Sequence, residues 1–415
     1  MKIAIVSINL EAQGGGNRQI LILARNLQKM GNKVAIYTVA ANKGAFSKIQ
    51  ENLDVRVIPA PGGAMDWKAK QTGFIGRMLS RMHHYRQELE AAKTIAEAMD
   101  ADFDVVNVHD FAYQAAYFYK KRNPSCRVVW TMNEPPYIHL KKDDFLSNIG
   151  SIVYNKMRDF TEKKFIRAVD AGAVLAPFQM EWLKKRGVNE SRVIISGVDF
   201  DDFYAPAKRL PQDLSKEPFG KAQSGPLKLM TLGTPNKYRR YEDAIIAAKI
   251  LRDKGLNVRL DVVANNVWQE NEYCGMLEKL VKENNLESIV KLSFAGVSEE
   301  ELRRLYKESH ILLHLIHVPP IRSGSTFGLV IWEAMAAGIL VIANHEPKLG
   351  SRLTDGENAV FVKPENAADL AEKIEKIASQ PELYFKIAQS SQRFVKENIS
   401  WDIYAREMME LFTPV

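Results

Sequence analysis

Cysteine is almost absent from this chain of 415 residues, with only Cys126 and Cys274. That excludes a disulfide scaffold and a cysteine-built zinc cluster, and it fits a reducing compartment. Glycine (24) and proline (17) are too sparse for a fibrous or linker-dominated protein. No stretch approaches the ~18 apolar residues of a membrane span. The opening run, residues 2–8, is too short for a signal-peptide core. The expectation is a cytoplasmic protein whose only membrane contact is peripheral, on the inner face. No block of like charge resembles a nucleic-acid arm, so no nucleic-acid partner is expected. The net charge of +7 favours an anionic ligand or surface. Neither G-x-G-x-x-G nor a Walker motif occurs, and no serine or cysteine nucleophile set is found.

What is present is ordinary globular composition, 46% hydrophobic and 26% charged. At ~150 residues per domain the length suggests two or three domains. Residues 2–8 read as a buried parallel strand, followed by the loop Gly14-Gly15-Gly16. Ile20, Leu23, Ala24 and Leu27 then recur at helical spacing, and Gly31 stops the helix. Apolar strand runs are expected near 33–38, 54–58, 104–108, 127–131, 171–175 and 192–195. Residues 205–226, rich in Pro, Lys, Gly and Ser, read as a linker. A second alternating series begins at 227 and ends in helices over 366–379 and 381–397, and Trp401–Phe412 reads as a further amphipathic helix. The fold expected is α/β, two doubly wound parallel-sheet domains over 1–204 and 227–397, with 398–415 as a terminal helical segment. Ligands are expected in a cleft between the carboxyl ends of the strands.

Several groups of residues there could carry chemistry. Gly14, Gly15 and Gly16 open a helix whose N-terminus favours an anion, though a plain tight turn explains them equally well. Gly324 to Leu329, with Ser325, Thr326, Phe327 and Gly328, open a second such helix suited to a diphosphate. Glu333 lies mid-helix among apolar neighbours, where a carboxylate needs a partner: a ribose diol or a nearby arginine. Lys237, Arg239 and Arg240 follow Gly233 at a strand end and could meet phosphates or form a solvated basic loop. His109-Asp110 ends an apolar strand, as site residues do, or Asp110 simply caps a helix. Asn133-Glu134-Pro135-Pro136 ends the next strand. Asp102/Asp104, Asp199/Asp201 and the trio His310, His314 and His317 make poor metal sites by position, so no metal and no cofactor is expected.

Together these residues resemble glycosyltransferase family 4, retaining enzymes of the GT-B fold, over nearly the whole chain. The resemblance runs from the glycine loop through the strand ending in His109, SGVD (196–199), the basic loop after Gly233, FGLVIWEAMAAG (327–338) and DGENAVFV (355–362). It implies transfer of a sugar from a nucleotide-diphosphate donor to a hydroxyl, without metal, with the donor in the C-terminal domain and the acceptor in the N-terminal one. Glu333 would bind the ribose; Ser325, Thr326, Phe327, Gly328 and Leu329 the donor sugar and phosphates; Arg239 or Arg240 the diphosphate. Gly14 to Gly16 would face it, His109 would lie beside the reacting sugar, and Asn133 and Glu134 would stand on the acceptor side. The terminal helix would return to the N-terminal domain.

Three positions depart from the family pattern. Ser325 stands where a second Glu is usual, Thr234 where an Arg follows the strand-end glycine, and Ala264-Asn265-Asn266 where a glycine is usual. They motivate an alternative, a catalytically silent GT-B protein that binds sugar nucleotide or supports a partner enzyme. A nucleotide-sugar epimerase is a third reading, with no carboxylate constellation in its favour. Residues 66–87 interleave Lys68, Lys70, Arg77, Arg81 and Arg86 with Trp67, Phe74, Ile75, Met78, Leu79 and Met82. Such a basic amphipathic segment suits an anionic membrane surface and a glycan, glycolipid or lipid-linked acceptor, or else packs on the sheet with its charges solvated.

Overall fold

The computed structural model describes residues 1–11, 14–42, 44, 46–60, 74–136, 145–211, 225–266, 269–317, 328–344 and 352–413. They fall into two compact units. In the first, the elements in chain order are β1 (Lys2–Val6), β2 (Asn9–Leu10), α1 (Gly15–Lys29), β3 (Lys33–Thr38), β4 (Ala40–Ala41), α2 (Ser47–Gln50), β5 (Asp54–Val57) and α3 (Phe74–Ala98). There follow β6 (Val105–His109), a 3-10 turn at Asp110–Tyr113, α4 (Gln114–Arg122), β7 (Arg127–Met132), α5 (Phe145–Ile166), β8 (Ala171–Val174), α6 (Pro177–Lys184) and β9 (Glu190–Val193). Seven strands form one parallel sheet in the order β5-β3-β1-β6-β7-β8-β9. The central strands are buried on both faces, which is why they read as unbroken apolar runs. The order in which strands are added reverses between β1 and β6, the switch point at which open α/β sheets bind ligands.

The second unit repeats the plan. Its elements are α7 (Phe200–Phe203), β10 (Leu227–Gly233), α8 (Tyr241–Asp253), β11 (Val258–Ala264), α9 (Asn271–Glu283), β12 (Val290–Ser293), α10 (Glu299–Glu308), β13 (Ile311–His314), α11 (Leu329–Ala336), β14 (Leu340–Asn344), β15 (Val360–Val362), α12 (Ala367–Ala378) and α13 (Pro381–Asn398). Six strands lie parallel in the order β12-β11-β10-β13-β14-β15, with the switch point between β10 and β13.

The units divide at Ser196/Gly197, earlier than the expected linker. Residues 205–211 are bound into the second unit. Lys208 Nζ donates to the Ser309 carbonyl at 2.8 Å, and Gln392 Nε2 to that of Ala205 at 2.7 Å. Gly338, at φ +67, ends α11 against this strip: a Cβ there would stand 2.7 Å from the Ala207 Cα. Only glycine meets both demands. The final helix, α14 (Trp401–Phe412), belongs to the first unit. Arg127 donates to the Leu411 carbonyl from Nε and Nη2, at 3.1 and 3.0 Å, and so satisfies a helix-end acceptor. Among the described residues no helix is long and apolar enough to cross a membrane.

Candidate functional site

Each switch point carries a cluster of polar groups. In the first unit, Asn107 and His109 alternate on one face of β6, while Val106 and Val108 face the core cluster. His109 is 2% exposed. Its Nε2 lies 2.8 Å from Asn107 Oδ1, and its buried Nδ1 has no hydrogen-bond partner. Burial alone pushes its pKa down to about 3, so the imidazole is neutral across the physiological range.

Asp110 is not the helix cap that the sequence suggested as one reading. It takes φ +44, which aspartate tolerates better than most residues, and its carboxylate turns back to clamp the end of β7. Oδ1 accepts from Asn133 N at 2.9 Å and Oδ2 from Asn133 Nδ2 at 3.1 Å, while Trp130 Nε1 donates to the Asp110 carbonyl. Burial raises the Asp110 pKa, and the hydrogen bonds from Asn133 oppose that shift. Asn133 Nδ2 also donates to Gln19 Oε1 of α1 at 3.0 Å, and Gln19 Nε2 donates to Ser196 Oγ at 2.9 Å. Gln179 Nε2 holds the Asn133 carbonyl at 2.8 Å. A Cβ on Gly16 would stand 3.8 Å from Asp110 Oδ2. The glycine loop, the end of β6 and Asn133 are therefore assembled at one sheet edge. Glu134 is exposed beside them. α1 begins at Gly15 with no side-chain cap.

In the second unit the two arginines separate. Arg240, at φ +55, is committed to three carboxylates: Glu242 at 3.0 Å, Asp243 at 2.9 Å and Glu365 at 3.1 Å. Arg239 folds back over the end of β10. Its guanidinium carbon lies 2.3 Å from where a Gly233 Cβ would stand, so the glycine, at φ +146, is what makes room for it. Nη1 donates to the Leu232 carbonyl at 3.2 Å, and Nε is buried with no hydrogen-bond partner. No carboxylate pairs with Arg239 among the described residues. His317 N, just beyond β13, donates to the Tyr238 carbonyl and ties this basic turn to the neighbouring strand end.

Glu333 lies on α11, 5% exposed, and Tyr306 donates its hydroxyl to Oε2 at 2.9 Å. Gly328 precedes the helix and Leu329 opens it, with no side-chain cap. Ser325, Thr326 and Phe327 lie outside the described residues. Where the family has a glycine after the second strand, Asn265 donates its backbone N–H to the Gly233 carbonyl at 3.1 Å and packs on Gly296, while Asn266 Oδ1 accepts from Glu270 N. β13 ends at His314, so His317 is not a strand residue, and His310 Nδ1 accepts from Lys228 N. Among the described residues no group of three potential metal ligands occurs.

Comparison with known proteins gives this geometry its family. The family described as Glycosyltransferase Family 4 matches residues 13–202, and that described as Glycosyl transferases group 1 matches residues 215–394. The chain belongs to glycosyltransferase family 4. Its two parallel-sheet domains have the GT-B fold. The chain is 28% identical over 123 residues to an uncharacterized glycosyltransferase of Methanocaldococcus jannaschii, covering 29% of this chain and 30% of that protein. It is 21% identical to a D-inositol 3-phosphate glycosyltransferase of Corynebacterium aurimucosum, covering 99% of this chain and 96% of the relative. Anabaena Alr3699/HepE, solved with UDP and glucose, superposes with a TM-score of 0.69 at 15% identity over 99% of both chains. The alignments to the first curated relatives span no more than about a third of their lengths.

Proposed function

We propose that this family 4 glycosyltransferase moves a sugar from a nucleoside-diphosphate donor, of the UDP or GDP class, to a hydroxyl of a glycan, glycolipid or lipid-linked acceptor. The proposed transfer retains anomeric configuration and uses no metal. The observation that carries this reading is Arg239: a cation with a partnerless buried Nε, lodged by Gly233 at the switch point of the second sheet. The departing nucleoside diphosphate gains negative charge in the transition state. A fixed guanidinium stabilises that charge in the role a divalent ion would otherwise play. Glu333 accepts from the ribose hydroxyls, and the backbone of the loop leading to Leu329 binds the phosphates. In this reading, as the family resemblance implies, the first unit offers Gly14 to Gly16 and His109 for the sugar and Asn133 and Glu134 for the acceptor. The acceptor hydroxyl attacks on the face the leaving group departs from, its proton passing to the departing phosphate oxygen. No covalent enzyme intermediate is needed.

In the expected lipid-side segment 66–87, Leu79 is 54% exposed and Arg86 is exposed. Residues 66–73, and the side chains of 74–78 and 80–81, lie outside the described residues. On α5, Phe160 is 79% exposed and Met157 38%, with Lys156, Lys163 and Lys164 exposed around them. Exposed apolar groups among cations suit an anionic bilayer surface.

The test is turnover. UDP-, GDP- and ADP-sugars are offered with an acceptor panel in EDTA, and nucleoside diphosphate release is followed. One nucleotide series should turn over. Glu333→Ala should raise its donor KM by roughly 10- to 100-fold with a smaller change in kcat, as loss of uniform binding requires. Absence of any turnover, or a donor KM indifferent to Glu333, would sink the reading. Binding without turnover would favour the silent alternative that Ser325 and Thr234 motivate.

A further inference from the structure

Tyr306, in the last turn of α10, is among the largest side chains that the second unit buries, at 1% exposure. Neighbouring segments hold it at both ends. Its ring meets Phe203 of α7 edge-on, with centroids 5.6 Å apart. Its carbonyl lies 3.4 Å from Lys208 Nζ, which also donates to the Ser309 carbonyl at 2.8 Å. An ammonium from the strip 205–211 thus closes the carbonyl end of α10, where a cation also suits the helix dipole. So fixed, Tyr306 donates its hydroxyl to Glu333 Oε2 of α11 at 2.9 Å. On α11, Glu333 keeps 5% of its surface exposed, where Ile331, Ala334 and Met335 keep none.

We infer that Tyr306 is a positioning residue: by binding Oε2 it holds the Glu333 carboxylate in one orientation, and so makes the donor site select ribonucleotides over their 2′-deoxy counterparts. The inference rests on the donor-site reading of Glu333 and adds to it the class of donor that the site refuses, sugars carried on a deoxyribonucleotide. A glutamate side chain has several rotatable bonds. Left unrestrained, it pays rotamer entropy on binding and turns to water when a ligand hydroxyl is missing. A carboxylate already pinned at one oxygen presents its remaining lone pairs in fixed directions. A missing hydroxyl then leaves a desolvated acceptor unmet, and that is where discrimination arises.

Equilibrium binding of UDP, GDP and ADP, each beside its 2′-deoxy analogue, tests this on the full chain and its variants. Wild type should bind one ribonucleotide about 10- to 100-fold more tightly than the deoxy analogue, as one hydrogen bond to a charged group requires. Tyr306→Phe keeps the ring against Phe203 and removes only the hydroxyl. Its ribo-to-deoxy ratio should fall about 10-fold, almost wholly through weaker ribonucleotide binding, with the deoxy affinity within about 2-fold of wild type. Phe203→Leu loosens the ring without touching the hydroxyl, and the ratio should fall about 3-fold. Tyr384→Phe is the control. It removes the hydroxyl of another buried tyrosine of this unit, one that donates to the His310 carbonyl at 2.9 Å. It should cost stability and leave the ratio unchanged.

A merely structural role weakens both nucleotides together. A wild-type ratio in folded Tyr306→Phe, or in Phe203→Leu if the first variant does not fold, therefore overturns the inference. So does a wild type that binds the two nucleotides equally while Glu333→Ala still weakens binding. A wild type that binds no nucleotide, or a Glu333→Ala protein that binds as wild type does, defeats the donor-site reading itself, and the inference with it.

Discussion

Arg239→Ala should lower kcat/KM for transfer by about 10²- to 10³-fold, the loss typical of one fixed group that stabilises developing charge in a transition state. The effect should fall mainly on kcat, because the charge that Arg239 meets grows as the nucleoside diphosphate departs. Arg239→Lys should recover little, since an ammonium cannot span the Leu232 carbonyl and a phosphate as the guanidinium fork does. Gly233→Ala should approach the same defect from the other side. A methyl group at φ +146 meets the guanidinium 2.3 Å away and must expel it from the strand end. Arg240→Ala makes the contrast: its loss removes ion pairs to Glu242, Asp243 and Glu365, so stability should suffer more than turnover. Steady-state kinetics of the four variants with one donor separates these roles.

The second large effect is on stability. Arg158, 2% exposed on α5, stands between Glu88 of α3 and Glu162 one turn further along α5, at 3.2 and 3.5 Å. Its guanidinium also covers the Tyr85 ring, and Tyr113 and Gln114 hydrogen-bond Glu162. Arg158→Met conserves much of the volume but leaves two buried carboxylates without their cation, a change that costs about 3–5 kcal/mol. For a unit of this size that is a fall of about 10 °C in the unfolding midpoint. The pH dependence identifies the cause. Burial already raises the Glu88 pKa, and Arg158 is the charge that opposes it. Without Arg158 the folded state binds more protons than the unfolded chain, so stability falls as pH rises from the unfolded carboxylate pKa through the folded one. Differential scanning calorimetry should show a deficit that is larger at pH 8 than at pH 5. A simple packing defect would give a deficit independent of pH.

Parallel strands buried on both faces are visible in a sequence because nothing interrupts their apolar runs. β3, β6, β7 and β8 accordingly fall where the pattern predicts. β2 and β4, two residues each, are too short to leave any period. The linker reading of 205–226 fails at its start because Gly338 and Gln392, more than a hundred residues away, bind that strip. The same distance hides the site's scaffolding. Gln19 and Asn133 look like surface polar residues until the fold brings them within 3.0 Å. Arg239 and Arg240 are neighbours with the same side chain. Only the left-handed turn at Arg240, which sends one toward carboxylates and the other across Gly233, tells them apart. In VVNVH (105–109), period two places a polar Asn on the same strand face as His109, where an apolar residue would be expected.

Nucleotide recognition by the second unit is the property from which the donor-site roles of Arg239 and Glu333 follow. Isothermal titration of UDP, GDP and ADP into wild type, Arg239→Ala and Glu333→Ala addresses it. One nucleotide should bind wild type in the micromolar range, about −8 kcal/mol. Each substitution should weaken that binding at least about 10-fold, Arg239→Ala by losing a phosphate contact and Glu333→Ala by losing the ribose. Equal affinity in all three proteins, or no binding of any nucleotide to wild type, would contradict the assignment of Arg239 and Glu333 as the donor site.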